Sequence, residues 1–329
     1  MNWPDDFIDQ IICSNNLDIL KTLPNESINC CITSPPYWAL RDYGVDGQLG
    51  LEPTFQEYLD KLITIFDEVK RVLKKDGTCW VVIGDTYSGG VAGSGGNCGR
   101  HIEIETNKYA KSTKFKNGIK KKGVQPKSLV QIPSRFAIMM TDHGWILRNE
   151  IIWYKPNAMP SSVKDRFTVD FEKIFFFVKN KKYWFEQQLE KSIWFEKDKR
   201  AITGGITKSG KSITSEGNQY QINKSGSFRK DGNRNKRCVW QIATKPFEEA
   251  HFAVFPPTLV EPMVKAGCPE KGIVLDPFMG SGTVAEVALK LNRHFIGIEL
   301  SPEYCEMAKK RIKEITPQPI RFGTKDLLW

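Results

Sequence analysis

No stretch of the 329-residue sequence approaches the ~20 consecutive apolar residues that a bilayer-spanning helix needs. The opening MNWPDDFIDQII carries acidic residues where a secretory leader would carry basic ones. Together these absences predict a protein that works in the cytoplasm, away from membranes. The eight cysteines, at 13, 30, 31, 79, 98, 238, 268 and 305, contain no C-x-x-C pair, and the four histidines are scattered. Neither a disulfide framework nor a metal site is expected. Several cysteines sit in apolar, strand-like runs and read as reduced, buried thiols. No internal repeat is present.

Positive charge is what the sequence has in excess, and its placement is uneven. The formal net charge is +10. Residues 107–127 hold eight lysines and no acid, and residues 197–237 hold eleven Lys or Arg against three acids. Both stretches are rich in Gly, Ser and Asn, which leaves the remainder of the chain mildly acidic. A pair of solvated loops would have this composition. Two basic loops on an acidic body also form the surface a polyanion needs, because phosphate contacts supply most non-specific nucleic-acid affinity. The distribution favours nucleic acid as partner.

At 40% hydrophobic and 26% charged, the chain has the composition of a globular protein with one large domain, or one plus a smaller module. Strands are predicted at QIICSNN (10–16), INCCITS (28–34), TCWVVIGD (78–85), WILRNEIIWYKP (145–156), EKIFFFVKN (172–180), GIVLDPF (272–278) and HFIGIEL (294–300). Between them, helical spacing marks LDILKTLP, residues 54–77, residues 128–145 and TVAEVALKLN. A last helix follows HFIGIEL, with Ser301 as N-cap and Pro302 at the first helical position. Strands alternating with helices predict an α/β fold with a doubly wound, mostly parallel sheet.

Two motifs stand at strand ends. VLDPFMGSGT (274–283) runs from a strand through a turn with two glycines into a helix starting at Thr283. Glycines there let a ligand approach the N–H groups of a helix start, and Asp276 is placed to accept from an ammonium group. The next strand ends at Glu299, where a doubly wound fold keeps a carboxylate for ribose hydroxyls. The spacing does not match G-x-G-x-x-G, which disfavours a dinucleotide; a plain tight turn would explain the glycines but not both acids. The second motif is NCCITSPPYWAL (29–40), a buried strand stopped by two prolines, which cannot donate to a ladder. GITKSGKS (205–212) matches a phosphate-binding loop literally but lacks the strand before it and the helix after it, so it reads as a flexible basic loop.

Thr33-Ser34-Pro35-Pro36-Tyr37-Trp38 together with Asp276–Thr283 resembles the amino-methyltransferases of DNA, which move a methyl group from S-adenosylmethionine to an exocyclic base amine. The order of motifs, with a basic region between them, is similar to the family's beta class, of Ser-Pro-Pro-Tyr type. The resemblance covers about residues 10–85, 130–180 and 251–315. It implies a circularly permuted Rossmann-like methyltransferase sheet: residues 1–185 as the catalytic part with a basic loop at 87–128, 186–245 as an inserted target-recognition region, and 246–329 as the cofactor-binding part. It also implies that Asp276, Pro277, Phe278, Gly280, Ser281, Gly282 and Thr283 hold the methionine end of the cofactor. Glu299 takes the ribose, and Phe255 and Pro256 of HFAVFP line the pocket. One departure is visible. Ser14-Asn15 stands where the family usually has Gly-Asp, so Asn15 would take the adenine.

An exocyclic amine is a poor nucleophile while its lone pair is delocalised into the ring. Acceptors aimed at its two hydrogens make it more tetrahedral; the Ser34 side chain and the Pro35 carbonyl would be those acceptors, held by the prolines. Tyr37 offers a ring for the base to stack on once it has left the duplex. The sequence has no Pro-Cys dipeptide, which disfavours ring-carbon methylation by a cysteine. Family members acting on cytosine usually carry Ser in the first motif position and those acting on adenine Asp, so Ser34 favours the cytosine N4 amine. Trp38, Lys208, Lys211, Arg229, Arg234, Lys236 and Arg237 are the expected contacts to double-stranded DNA. A cognate restriction endonuclease, a monomer or homodimer, and a cytoplasmic, DNA-associated protein of prokaryotic or phage type are implied as well. The alternatives are an adenine-N6 enzyme of the same fold, a relative acting on RNA or protein amines, and a non-catalytic nucleic-acid binder on the same scaffold.

Overall fold

Alternation along the central strands sets the architecture. The structure, a computed structural model, describes residues 2–40, 42–88, 124–191, 211–213, 219–221, 233–244 and 256–315. In β2 (Ile28–Thr33), β3 (Leu73–Ile83) and β5 (Phe171–Val178), successive side chains enter two different cores. Cys31, Cys79, Val81, Ile83, Phe175 and Phe177 pack on one face of the sheet. Cys30, Ile32, Trp80, Val82, Ile174 and Phe176 pack on the other, with the Trp80 and Phe176 rings stacked 4.0 Å apart. A sheet covered on both faces needs near-continuous apolar strands, and INCCIT and IFFFV are such runs.

The same sheet includes β1 (Gln10–Cys13), β4 (Ile146–Tyr154), β10 (Val239–Gln241), β11 (Ile273–Asp276) and β12 (His294–Glu299). Its eight strands lie in the order β1-β12-β11-β2-β3-β5-β4-β10. The five strands from β1 to β3 run parallel; β5 is antiparallel to both neighbours, and β10 lies parallel to β4. Helices α1 (Asn16–Thr22), α2 (Phe55–Val72) and α3 (Ile132–Asp142) contribute to the first core. Helices α4 (Pro257–Gly267), α5 (Thr283–Lys290) and α6 (Pro302–Ile315) contribute to the second. β11 and β2 lie side by side while the chain moves outward from them in opposite directions, so the switch point of the sheet lies between their carboxyl ends.

The expected fold class is the one observed, and the differences are local. α2 ends at Val72 rather than at residue 77, because Leu73 turns extended and the Lys74–Gly77 segment joins β3 through an irregular register opposite Ile28–Cys30. The helix expected at 128–145 is confined to Ile132–Asp142; Gln131 precedes it in the left-handed region and Pro133 fits its first turn. β10 was not read from the sequence: three residues are too short for a period.

Contacts divide the chain into two units, Met1–Glu186 with Cys238–Trp329, and Gln187–Arg237. In the second, β6 (Leu189–Lys191) pairs antiparallel with β9 (Asn233–Asn235), and β7 (Lys211–Ile213) with β8 (Gln219–Gln221). Val239–Gln241, from the stretch expected to belong to the recognition region, is an edge strand of the large sheet. β7 also begins inside the phosphate-loop look-alike, where a helix would be required; residues 205–210 of that stretch lie outside the described residues. Among the described cysteines all are free; Cys13 and Cys238 are exposed rather than buried, and Cys98 lies outside the described residues. No helix among the described residues is long and apolar enough to cross a membrane.

Candidate active site

The two sequence motifs meet at the switch point. Thr33, the last residue of β2, donates its hydroxyl to Oδ1 of Asp276, the last residue of β11, at 2.6 Å. That bond ties the strand end carrying Ser34 to the strand end carrying the glycine turn. A cleft of about 570 Å³ opens over the pair. Ser34, Pro35, Pro36 and Tyr37 line one part of its wall, and Pro277, Phe278, Gly280, Ser281, Thr283, Glu299 and Asn15 line another.

The glycine turn is held from several sides. The N–H of Phe278 donates to Asp276 Oδ1 at 3.1 Å, and Met279 N–H to the Ile298 carbonyl at 3.0 Å. Gly280 and Gly282 have φ of +53° and +84°, a conformation that favours glycine, and a Cβ at Gly280 would project into open space. Glu299 Oε2 accepts from the N–H of Gly280 and Oε1 from that of Ser301, both at 2.8 Å. Burial raises the Glu299 carboxyl above its usual range, although those N–H groups pull it down. Arg311 of α6 was not singled out from the sequence. Its Nη1 donates to the Ser281 carbonyl, Ser281 Oγ and Thr283 Oγ1, and its Nε pairs with Glu286. The Ser281 and Thr283 hydroxyls are therefore engaged with α6, a contact across 28 or more positions that no local pattern reveals.

Asp276 is 2% exposed, and burial pushes its carboxyl up to about 7, against the pull of Thr33 and Phe278. Its second oxygen, Oδ2, is buried with no hydrogen-bond partner. A half-satisfied buried carboxylate is costly unless a cation completes it. Asp276 itself does not line the cleft, whereas Pro277 and Phe278 directly after it do; a cation completing Oδ2 would be an ammonium group held against that edge of the cleft.

On the other wall, the Pro36 carbonyl is fixed by more than its ring. Tyr58 of α2 donates its hydroxyl to the Pro36 carbonyl at 2.8 Å, and Trp38 Nε1 donates to the Glu52 carbonyl at 2.9 Å. Trp38 is 1% exposed, so its expected place on the DNA surface is corrected: it is a core residue that anchors the motif. Tyr37 donates to Glu172 Oε2 at 2.7 Å, and burial and Glu172 raise its hydroxyl well above the usual tyrosine value. Its ring lies against Gly84, where an added Cβ would come within 2.4 Å of Cε2. Gly84→Ala is thus expected to displace the ring and lower turnover by up to about 10²-fold, with cofactor affinity unchanged. Steady-state rates beside a calorimetric titration check it; wild-type turnover would mean that the ring position is not critical.

Other expected site residues are placed differently. Asn15 caps α1, its Oδ1 accepting from the N–H groups of Leu17 and Asp18, which leaves its amide NH₂ for a ligand in the cleft. Pro256 precedes α4 as its N-cap, and Phe255 lies outside the described residues. Lys208 and Arg229 also lie outside them, and Lys211 is described only as the start of β7. Within the second unit Arg234 is paired with Glu190 at 2.8 Å, Lys236 N–H donates to the Gln188 carbonyl, and Arg237 is exposed. Of the basic loop at 87–128, the described ends meet: Tyr87 bridges Leu129, and Ser88 and Ser128 share a hydrogen bond of 2.7 Å. Its lysines from 108 to 122 fall outside the described residues.

The sheet order and the joined strand ends define a doubly wound α/β fold with a ligand cleft at its switch point. A family model described as DNA methylase matches residues 28–310. The Type II methyltransferase M.Cfr9I of Citrobacter freundii is 40% identical over 307 residues, covering 93% of this chain and 88% of that protein. M.SmaI of Serratia marcescens is 37% identical over 303 residues, covering 92% and 90%. Among solved structures, PvuII DNA methyltransferase (cytosine-N4-specific) superposes with a TM-score of 0.59 at 21% identity, covering 92% of this chain and 85% of that one. A Thermus thermophilus protein solved in complex with S-adenosyl-L-methionine does so at 0.54 and 20% identity, covering 93% and 95%. The chain belongs to the DNA methylase family, whose members modify exocyclic N6 or N4 amines.

Proposed function

We propose that the protein is an S-adenosylmethionine-dependent methyltransferase that modifies the N4 amine of cytosine at a specific sequence in duplex DNA, paired in the cell with a restriction endonuclease. One observation carries the reading: the Thr33–Asp276 hydrogen bond brings the Ser34-Pro35 acceptors and the cofactor turn to one cleft. The residues suit the cofactor. Asp276 would accept from its ammonium, Glu299 would meet the ribose hydroxyls, and Phe278 and Asn15 would border the remainder. The bound cofactor supplies an electrophilic methyl group on a sulfonium.

Ser34 Oγ and the Pro35 carbonyl accept from the two amine hydrogens and leave the nitrogen lone pair free toward the cofactor side. Tyr37 stacks on the base after it has left the duplex. Nothing in the arrangement calls for a covalent intermediate. Ser34 in the first motif position, and the cytosine-N4 specificity of the PvuII enzyme, support cytosine over adenine.

The decisive measurement incubates the full chain with duplex DNA and labelled S-adenosylmethionine, digests the product and identifies the modified nucleoside. N4-methylcytosine is expected. N6-methyladenine would overturn the base assignment, label on RNA alone the substrate class, and no label on any nucleic acid would leave a binding scaffold.

A further inference from the structure

The glycine turn is gripped from α6 more closely than its backbone alone requires. Gly282 leaves little room for a side chain: a Cβ there would lie 3.0 Å from the Cβ of Ala308, so α6 packs directly on the turn. Three residues further along the same face of α6 stands Arg311. Its Nη1 reaches the Ser281 carbonyl at 3.0 Å, Ser281 Oγ at 3.1 Å and Thr283 Oγ1 at 2.7 Å. Its Nε stands 3.1 Å from Glu286, and the two charged side chains are only 10% and 12% exposed. Ser281 and Thr283 are buried as well, and both line the cleft, whereas Arg311 does not.

A hydroxyl has one proton and two lone pairs, so by itself it can face a ligand as donor or as acceptor. A guanidinium has donors only. Each hydroxyl bonded to Arg311 must therefore accept, and its own proton is left for another group. Among the described residues neither proton goes to an acceptor of the protein. A buried donor without an acceptor is unfavourable, and the cleft is where an acceptor can arrive. The two oxygens share one nitrogen, so they are near enough to meet a single small anion. S-adenosylmethionine carries one such group, the carboxylate on the carbon that also bears its ammonium. Glu286 balances the guanidinium charge, so the anion is drawn by directed hydrogen bonds rather than by a net positive charge that would also repel the sulfonium.

We infer that Arg311 is a positioning residue that makes the Ser281 and Thr283 hydroxyls donors toward the cleft, where they take the carboxylate of the cofactor's amino-acid end. The inference rests on the reading of the cleft as the S-adenosylmethionine site and is independent of which base is methylated. It separates the two charges of the amino-acid end, the ammonium going to Asp276 and the carboxylate to the two hydroxyls.

The probe is decarboxylated S-adenosylmethionine, which keeps the ammonium, the sulfonium and the nucleoside. In calorimetric titrations of the full chain, wild type is expected to bind S-adenosylmethionine about 10–100-fold more tightly than the decarboxylated compound. Thr283→Val removes one hydroxyl with little change of shape. Arg311→Met removes the guanidinium, and Glu286 keeps Lys290 at 2.6 Å as a partner. Each should cut that preference by about fivefold or more, with affinity for the decarboxylated compound within about threefold of wild type. Added to Ser281→Ala with Thr283→Val, Arg311→Met should change the preference no further, because the guanidinium acts through those two hydroxyls. Equal weakening of both compounds by Arg311→Met would show that it only braces the turn, and would overturn the positioning role. An unchanged preference in Thr283→Val would overturn the carboxylate site whether or not the Arg311 variant folds, and so would a wild type that binds the two compounds alike. A wild type that binds neither would bring down the cofactor reading itself.

Discussion

Ser34→Ala is expected to slow methyl transfer by about 10²–10³-fold, the loss that follows removal of one preorganised electrostatic partner from a reacting group. The substitution deletes one of two acceptors and little else. The Pro35 carbonyl stays aimed, because the segment is held by Tyr58 on the Pro36 carbonyl and by Trp38 on Glu52, neither of which involves Ser34. The cofactor turn is joined to β2 through Thr33, one residue earlier. Cofactor affinity should therefore remain within about twofold, and only the step in which the amine changes geometry should suffer. A single-turnover assay with labelled cofactor reads the rate, and a calorimetric titration reads the affinity. Unchanged turnover removes Ser34 from the mechanism. A parallel loss of cofactor affinity would show instead that the end of β2 had been disturbed.

Local chemistry made the strand ends legible. Apolar runs that stop at Ser-Pro-Pro or Asp-Pro can be read one residue at a time, and the parallel sheet follows from their alternation with helices. Contacts between distant segments could not be read. Arg311 reaches the glycine turn from α6, and Glu172 reaches Tyr37 from a strand 135 positions away, through pairings fixed only when the sheet is assembled. Trp38 shows the converse error. An aromatic after Pro-Pro-Tyr looks like a surface for bases, yet its indole N–H finds the Glu52 carbonyl and its ring the Phe55 ring, 6.2 Å away and nearly perpendicular. An amphipathic side chain goes where its polar tip is satisfied, and no composition rule says which neighbour will satisfy it. The short strands β6 to β10 were missed because three residues carry no period.

Cofactor affinity should depend on pH through Asp276, and the dependence should vanish in Asp276→Asn. Burial holds the free carboxyl at about 7, while Thr33 and Phe278 stabilise its charge from one side only and Oδ2 has no partner. An ammonium placed at Oδ2 binds the ionised form. Below about pH 7 the site must first lose a proton, so affinity should fall toward tenfold per unit as the solution is acidified, and level off above pH 7. Calorimetry at pH 6 in buffers of different ionisation enthalpy should record net proton release on binding, and little at pH 8.

Asp276→Asn keeps an acceptor for Thr33 but presents no charge to the ammonium. Its affinity should drop by about 30-fold or more at pH 8, corresponding to the roughly 2–5 kcal/mol lost when one partner of a buried charge pair is removed. Stability of the ligand-free protein should run the other way. The folded carboxyl sits above its unfolded value of about 3.9, so its contribution is complete below about pH 4 and is lost as pH rises to about 7. Acidifying from pH 8 to pH 6 should therefore raise the Tm of ligand-free wild type relative to Asp276→Asn, while the Tm gain on adding cofactor shrinks. A wild-type Kd that stays flat from pH 6 to pH 8 would separate Asp276 from the ammonium. The unpaired Oδ2 would then have to be a cost of the Thr33 bond that joins the two motifs.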